Sequence, residues 1–280
     1  MRVSKVTNAY VFIVLLLGIT CIAFAAANLP VATLDYHLLI LFALTIAIGS
    51  RITIQVPRFK SFISASETFI FLALLMYGAE VAIILAAAEA FATSWRFCNK
   101  KVTVFFNAAA HAISMTAVML ALQLAGLYSY DQLHGTSDYV QSFVIALCVI
   151  ALTHFLVNTS LATLYGSLRD STQIWETWKS KYVWSFFTYF TGSVSAGLLV
   201  QLTAVMGFGI VVATFPVCFF VFLAYRMYLK NVEISMQQAE QAEQYAKILE
   251  SQSEALRDSE ERFRSAFDHA PIGIGLLTAN

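Results

Sequence analysis

The chain contains eight long apolar segments separated by short loops, and this pattern constrains its fold more than any other feature. A chain inside a hydrocarbon layer about 30 Å thick must satisfy its own backbone hydrogen bonds, which a helix of about 20 apolar residues does. The composition agrees, because 59% of the residues are hydrophobic and only 12% are charged. The sequence therefore predicts an all-α membrane protein, in which residues 1–229 form a bundle of about eight transmembrane helices. The predicted spans are 8–28, 36–54, 62–77, 79–97, 103–125, 139–165, 182–203 and 205–229.

The third and fourth segments can be interpreted in two ways. The third is short, and only Gly78 separates it from the fourth. Residues 62–97 therefore form either two full spans or a re-entrant hairpin. In both interpretations the segment enters and leaves on the same side of the membrane.

The basic residues indicate the orientation of the spans. Cytoplasmic loops retain Lys and Arg, whereas translocated loops are poor in them. With the amino terminus inside, every predicted inner segment is basic and the predicted outer loops carry no Lys or Arg; the inner residues are Arg2, Lys5, Arg51, Arg58, Lys60, Arg96, Lys100, Lys101, Arg169, Lys179, Lys181, Arg226 and Lys230. We therefore expect a multi-pass protein of a bacterial inner membrane, with both termini in the cytoplasm and the lipid bilayer as its first partner.

After Lys230 the composition changes to Gln, Glu, Ala and Ser, without Pro or Gly, over residues 230–260. Residues spaced by alternating threes and fours form one seam of this segment, as in a heptad repeat. The seam consists of Val232, Ser235, Ala239, Ala242, Ala246, Leu249, Ser253, Leu256, Glu260 and Phe263. The pattern predicts a cytoplasmic signalling helix that pairs in a homodimeric coiled coil; the alternative is a solvated single helix.

The last residues, SEERFRSAFDHAPIGIGLL from Ser259 to Leu277, resemble the start of a PAS domain. In that family an amphipathic helix of the E-R-F-R-x-x-F type precedes an Ala-Pro pair and a first strand of alternating apolar residues. The matching positions here are Glu261 to Phe267, Ala270, Pro271, Ile272, Ile274 and Leu276. The resemblance implies that residues 261–280 begin a PAS domain that continues in a longer protein, with an output domain in the same chain.

Residues 50–125 also resemble the multi-span input modules of bacterial cyclic-di-GMP enzymes with GGDEF, EAL or HD-GYP outputs. The resemblance lies in ISASETFIFLALLMYGAEVAIILAAAEAFATSWR and the following VFFNAAAHAIS. It implies that the full-length protein makes or degrades cyclic-di-GMP; a histidine kinase is the other output that we consider. The residues present here contain no motif of these enzymes and none of the common catalytic fingerprints, so they predict no catalysis of their own.

Polar residues within the predicted spans are candidate sensing residues, because an ionisable group in hydrocarbon is costly unless it is paired or hydrated. Three ionisable residues lie near mid-depth: Glu89, His111 and His154. Asn107 shares a helix face with His111, and Asn158 shares one with His154. We expect these five side chains to converge in a ligand-binding or proton-sensitive pocket, with Glu89 accepting a hydrogen bond from a histidine. The alternative is that they only join helices through hydrogen bonds.

Two histidines and a carboxylate are also ligand types of a metal site, which makes Glu89, His111 and His154 candidate metal ligands, and paired histidines could hold haem. The four cysteines lack metal-site spacing, and the sequence identifies no cofactor. Glu67 lies near the inner end of the third span, where it could pair with Arg58 or Arg96.

Together these features predict a membrane-embedded sensory input domain that relays a stimulus through a dimeric helix to a PAS and output domain. They give no indication of nucleic-acid binding. Two alternatives remain. A solute-binding or transporter-like bundle would have a sizeable central cavity with an external mouth, and an intramembrane metal- or haem-binding protein would hold its cofactor between the polar residues.

Overall fold

The computed structural model describes residues 2–30, 35–47, 53–55, 62–64, 66–127 and 139–268, and these residues are almost entirely helical. Contacts divide the chain into two units, residues 1–222 and residues 223–280. The described helices are α1 (Arg2–Ala27), α2 (Tyr36–Ala47), α3 (Ser66–Tyr77), α4 (Ala79–Phe97), α5 (Lys101–Leu124), α6 (Tyr139–Asp170), α7 (Ile174–Lys181), α8 (Phe186–Met206) and α9 (Gly209–Asp268), with a short 3₁₀ turn at Val183–Ser185.

The first unit is a helical bundle whose interior is built around α3. Nearly every residue of α3 from Ser66 to Leu74 is buried, as expected for a helix that is apolar on all sides. It packs against α4, α8 and α2, while α5 packs against α4, α6 and α1. The inner faces of α2, α4 and α8 therefore contact the side chains of α3.

Large apolar side chains cover the outside of this bundle. Phe12, Leu16, Leu198 and Phe220 each expose more than half of their surface, whereas Glu89 and His154 are buried. Water favours the opposite distribution, and lipid favours this one. Five described helices are long and apolar enough to cross a membrane: Lys5–Ala27, Lys101–Leu124, Val140–Asp170, Val183–Met206 and Gly209–Asp268. The architecture is therefore that of an all-α membrane bundle, and the count of eight spans stays a prediction.

The second and third predicted spans are shorter in the structure than in the sequence interpretation. Helix α2 ends at Ala47, and Thr53–Gln55 (β1) pairs antiparallel with Phe62–Ser64 (β2). The predictions of helix up to residue 54 and from residue 62 were therefore wrong at 53–54 and 62–64. A hydropathy window includes Ile54, Phe62 and Ile63 at the ends of apolar segments, and it does not separate a short strand from a helix.

Helices α3 and α4 form a tight hairpin joined by Gly78 alone. Gly78 adopts φ +96°, a left-handed conformation that favours glycine. The 12 residues of α3 span about 18 Å, which is less than the roughly 30 Å of hydrocarbon. Helix α4 has 19 residues but carries three charged side chains, Glu80, Glu89 and Arg96. Of the two interpretations of residues 62–97, this geometry favours the hairpin.

The second unit consists, in its described part, of the continuation of α9. The helix is unbroken from Gly209 to Asp268, 60 residues, with Pro216 inside its first part. From residue 229 to residue 268 nearly every side chain is exposed. The strand predicted at residues 272–276 and the Ala270–Pro271 pair lie outside the described residues.

Candidate functional site

The predicted site residues fall into two neighbouring polar groups inside the bundle. His111, His154 and Asn158 lie together, whereas Glu89 and Asn107 make separate hydrogen bonds. Two residues that the sequence analysis did not assign to the site, Glu67 on α3 and Tyr189 on α8, complete the first group. We call Glu67, His111, His154, Asn158 and Tyr189 the His154 cluster.

His154 is at the centre of the cluster and is completely buried. Its Nδ1 atom faces Oε2 of Glu67 at 3.7 Å, within reach of an ionic interaction but too far for a hydrogen bond. The ring of His111 meets the His154 ring at 5.6 Å between centroids, and the rings of Tyr189 and Phe71 lie at 5.3 and 5.4 Å. Helices α3, α5, α6 and α8 therefore all contribute to the surroundings of this one imidazole.

Asn158 joins the other members of the cluster. Its Nδ2 atom donates a hydrogen bond to the Tyr189 hydroxyl at 2.7 Å and lies 3.4 Å from Nε2 of His111. It is one turn after His154 on α6, as the i, i+4 spacing predicted. The amide thus fixes the positions of a phenol and an imidazole on two other helices.

Several polar atoms of the cluster are buried without a hydrogen-bond partner among the described residues: Glu67 Oε2, His111 Nδ1, His154 Nδ1 and His154 Nε2. Native proteins pair most buried polar atoms, because an unpaired one costs about 1–3 kcal/mol. Four such atoms on three adjacent side chains are therefore unusual. Unpaired buried groups are few in native structures, and a functional role is one of the reasons for which they are kept.

The second group holds the carboxylate of Glu89. Its Oε1 atom accepts hydrogen bonds from the hydroxyls of Ser66 and Thr93, both at 2.7 Å. Nearby, Asn107 donates to the Ser94 hydroxyl at 2.7 Å, which joins α5 to α4. Glu89 was expected to face a histidine; the carboxylate that does so is that of Glu67. The two groups meet on α3, because Ser66 and Glu67 are consecutive.

The close approach of α8 to α3 brings Glu67 and Tyr189 into one cluster. A Cβ atom at Gly192 would lie 3.3 Å from the Cβ of Glu67 and 3.4 Å from the backbone nitrogen of Thr68. Tyr189, Gly192, Ser193 and Ala196 are all buried and follow i, i+3, i+4 and i+7 spacing. The stripe of small residues on α8 packs against α3 and thus also determines the direction of Tyr189.

Glu67 was expected to pair with Arg58 or Arg96. Arg58 lies outside the described residues, and the described ionic contact of Glu67 is with His154. The sequence places Glu67 near a basic loop, which explains the expectation. The sequence does not reveal that α3 is buried on all sides. Because of this burial, the side chain of Glu67 in its first turn lies inside the bundle.

Two observations concern the alternatives of a metal site and of a solute-binding bundle. Within the described residues, no three His, Cys, Asp or Glu side chains are grouped to hold a metal ion. A crevice of about 300 Å³ lies between α6 and α8 and is lined mainly by apolar side chains. Three of them, Val144, Val194 and Leu198, are more than half exposed, so the crevice opens on the outer surface of the bundle.

Comparisons with known proteins give no relative of this chain: no protein-family model, curated protein or solved structure matches it.

Proposed function

We propose that the chain is the membrane-embedded input domain of a signalling protein, and that α9 relays a stimulus from the bundle to a cytoplasmic output domain. The observation that carries this proposal is the unbroken helix from Gly209 to Asp268. Its 60 residues measure about 90 Å, of which the hydrocarbon layer accounts for about 30 Å. Some 40 residues of the same helix therefore extend beyond the membrane.

The first part of α9 is held by the bundle. Val211 and Phe215 are its buried residues, and the Phe215 ring stacks on Phe69 of α3 with centroids 3.9 Å apart and planes 10° apart. Phe69 is two residues from Glu67, on the same short helix. A displacement of α3 would therefore act directly on α9, one residue before Pro216.

The continuation of α9 has the surface of a helix that pairs with a second copy. Its seam residues Leu249, Leu256 and Phe263 expose 63 to 71% of their surface, and Phe267 continues the heptad after Phe263. Leaving these side chains in water is costly, and pairing in a parallel coiled coil would cover them. We therefore propose a homodimer through residues 230–260.

The topology that we propose has an even number of spans, eight in the sequence interpretation, and both termini in the cytoplasm of a bacterial cell. The distribution of basic residues places certain segments on the same side of the membrane, and two contacts between such segments support this assignment. On the predicted inner side, the Thr7 hydroxyl donates to the Leu168 carbonyl at 3.1 Å. On the predicted outer side, the His37 ring lies 4.5 Å from that of Phe208.

The identity of the output domain is inferred from sequence resemblance. The start of a PAS domain at residues 261–280 and the likeness of residues 50–125 to cyclic-di-GMP input modules favour an enzyme that makes or degrades cyclic-di-GMP. The described helix includes residues 259–268, where the PAS resemblance requires an amphipathic helix. Sequencing of the gene tests this part of the proposal, which predicts the remainder of a PAS domain in the same reading frame.

Disulfide crosslinking in membranes tests the relay helix. In a chain whose four cysteines are replaced by serine, Ala246→Cys lies on the seam and should form a dimer on oxidation. Gln244→Cys, on the opposite face, is the matched control and should crosslink much less. Absence of a dimer at Ala246→Cys, or equal crosslinking at both positions, would contradict the coiled coil.

A further inference from the structure

Glu67 and His154 face each other in a way that neither a hydrogen bond nor an ordinary packing contact explains. Their nearest polar atoms are 3.7 Å apart, and both atoms lack a hydrogen-bond partner within the described residues. A hydrogen bond between an imidazolium and a carboxylate is about 2.7–2.9 Å long. The two atoms are therefore about 1 Å too far apart for a hydrogen bond. Both are buried, and an unpaired buried polar atom costs free energy.

Two carboxyl groups lie in the surroundings of His154. Glu67 is in the first turn of α3, where the helix dipole stabilises a carboxylate. The titratable groups around His154 are Glu67 from α3, His111 from α5 and Tyr189 from α8, and Glu89 of α4 is connected through Ser66. Of these, the two carboxyl groups can be negative, and His154 is placed to supply a compensating charge.

We propose that Glu67 and His154 form a proton-binding pair, and that occupancy of this pair is the input of the proposed sensor. One proton is taken up from solution and no covalent bond between heavy atoms changes. On Nδ1 of His154 the proton would be donated to Oε2 of Glu67, which gives both atoms the partner that they lack. This inference rests on the proposed function, and it names the ligand of the site.

The pair is connected to the relay helix. Closing the gap from 3.7 Å to a hydrogen bond would draw the start of α3 towards α6 by up to about 1 Å. Phe69, on the same turn of α3, would carry that shift to Phe215 on α9. Asn158 holds His111 and Tyr189 around the imidazole, so α5 and α8 provide fixed surroundings against which α3 moves.

A proton fits this site better than a metal ion. Within the described residues no third His, Cys, Asp or Glu is grouped with the pair as a metal site requires. Zinc sites use three or four protein ligands. Zinc binding is therefore the competing outcome, and the experiment includes it.

Infrared difference spectroscopy of the full 280-residue chain in liposomes tests the proposal. With the histidines outside the cluster (His37, His134 and His269) replaced by glutamine, the chain should show an imidazolium band between pH 5 and 8, in the presence of a chelator, that titrates together with a shift in a carboxylate band. Glu67→Gln should remove the carboxylate component, and His154→Gln should remove the imidazolium component. Glu80→Gln is the control, a carboxyl group in the first turn of α4, and should keep both.

Three results would overturn the proposal: no titrating bands in this range, bands that persist unchanged in both Glu67→Gln and His154→Gln, or a response to Zn²⁺ at constant pH that requires both residues. Circular dichroism establishes that each variant is folded. If His154→Gln does not fold, His154→Asn and isotope labelling of the histidines in the wild-type chain give the same assignment.

The crosslinking assay separates this inference from the proposed function. Ala246→Cys should crosslink at rates that differ at least twofold between pH 5 and 8, and Glu67→Gln should abolish the difference. Titrating bands with a crosslinking rate that does not change would leave the proton site standing but remove its role in the relay. Crosslinking of the dimer without titrating bands would support the relay and refute the proton site.

Discussion

A Cβ atom placed on Gly192 would lie 3.3 Å from the Cβ of Glu67, so α8 and α3 approach each other at the residue that faces His154. We expect Gly192→Leu to separate the two helices and to lower stability by about 1–3 kcal/mol or more, because a well-packed interior does not accept the added volume. Thermal unfolding in detergent measures the change.

Gly166→Leu is the matched control for this substitution. Gly166 is also within a long helix, and nothing lies within 4 Å of the position its Cβ would take. Its thermal midpoint should remain close to that of the wild type. Equal midpoints for the two variants would mean that the contact at Gly192 does not limit the approach of α8.

The stacked pair Phe69 and Phe215 should be energetically coupled. Replacing either buried ring by alanine is expected to cost about 3–5 kcal/mol. In a double-mutant cycle, the coupling beyond the separate losses should be about 0.5–1.5 kcal/mol, as for other aromatic pairs. Phe220→Ala, at a ring that exposes 66% of its surface, should change stability little. A coupling of zero would show that α3 and α9 are not mechanically joined here.

The hydroxyl groups that donate to Glu89 should each be important for stability. Ser66→Ala and Thr93→Ala each remove a 2.7 Å hydrogen bond to the same oxygen. If the carboxyl group is ionised, each loss is expected to cost about 1.5–3 kcal/mol. Thr116→Ala provides a control, since its hydroxyl donates only to a carbonyl of its own helix and its loss should cost less.

The start of α2 should contribute stability that depends on pH. The backbone N–H of Leu38 donates to Asp35 and holds the pKa of this carboxyl group below its usual value, and His37 acts in the same direction. The ionised form is therefore favoured in the folded chain. This contribution is complete above the ordinary pKa near 3.8 and is lost as the pH falls through the lowered folded value.

Asp35→Asn keeps a side chain that can cap a helix but removes the charge. The thermal midpoint of wild type should exceed that of the variant at pH 6 and converge with it as the pH falls below about 4. A difference that stays constant over this range would show that the charge of Asp35 contributes nothing to stability.

The helical membrane architecture could be predicted from hydropathy and from the spacing of the basic loops. The spans at residues 79–97 and 103–125 agree with α4 and α5 to within about two residues, since long apolar segments bounded by charges leave little freedom. The boundaries at residues 54 and 62 could not be predicted. There, the three-residue strands TIQ and FIS are too short and too mixed in polarity to give a pattern of their own, and their pairing depends on tertiary contacts.

The candidate site could be predicted only in part. Spacing along single helices placed His154 with Asn158 correctly, because the i, i+4 relation is local. Which carboxylate faces the histidine depends on the packing between helices, and the sequence pattern alone pointed to Glu89 instead of Glu67. Tyr189 was not identified from the sequence, because its place in the cluster depends on the packing of the small residues beside it against α3.

The shortness of α3 also bears on how the protein is made. An insertion machinery that reads hydrophobic length would find 12 residues too few to retain in the bilayer alone, whereas α3 and α4 together, joined by Gly78, supply enough apolar surface to be inserted as a pair. Glu67 and Ser66 would then enter the lipid before α6 and α8 have been synthesised. The helices that carry His154 and Tyr189 must therefore reach Glu67 later, and the bundle is completed only when the carboxy-terminal helices have been translated.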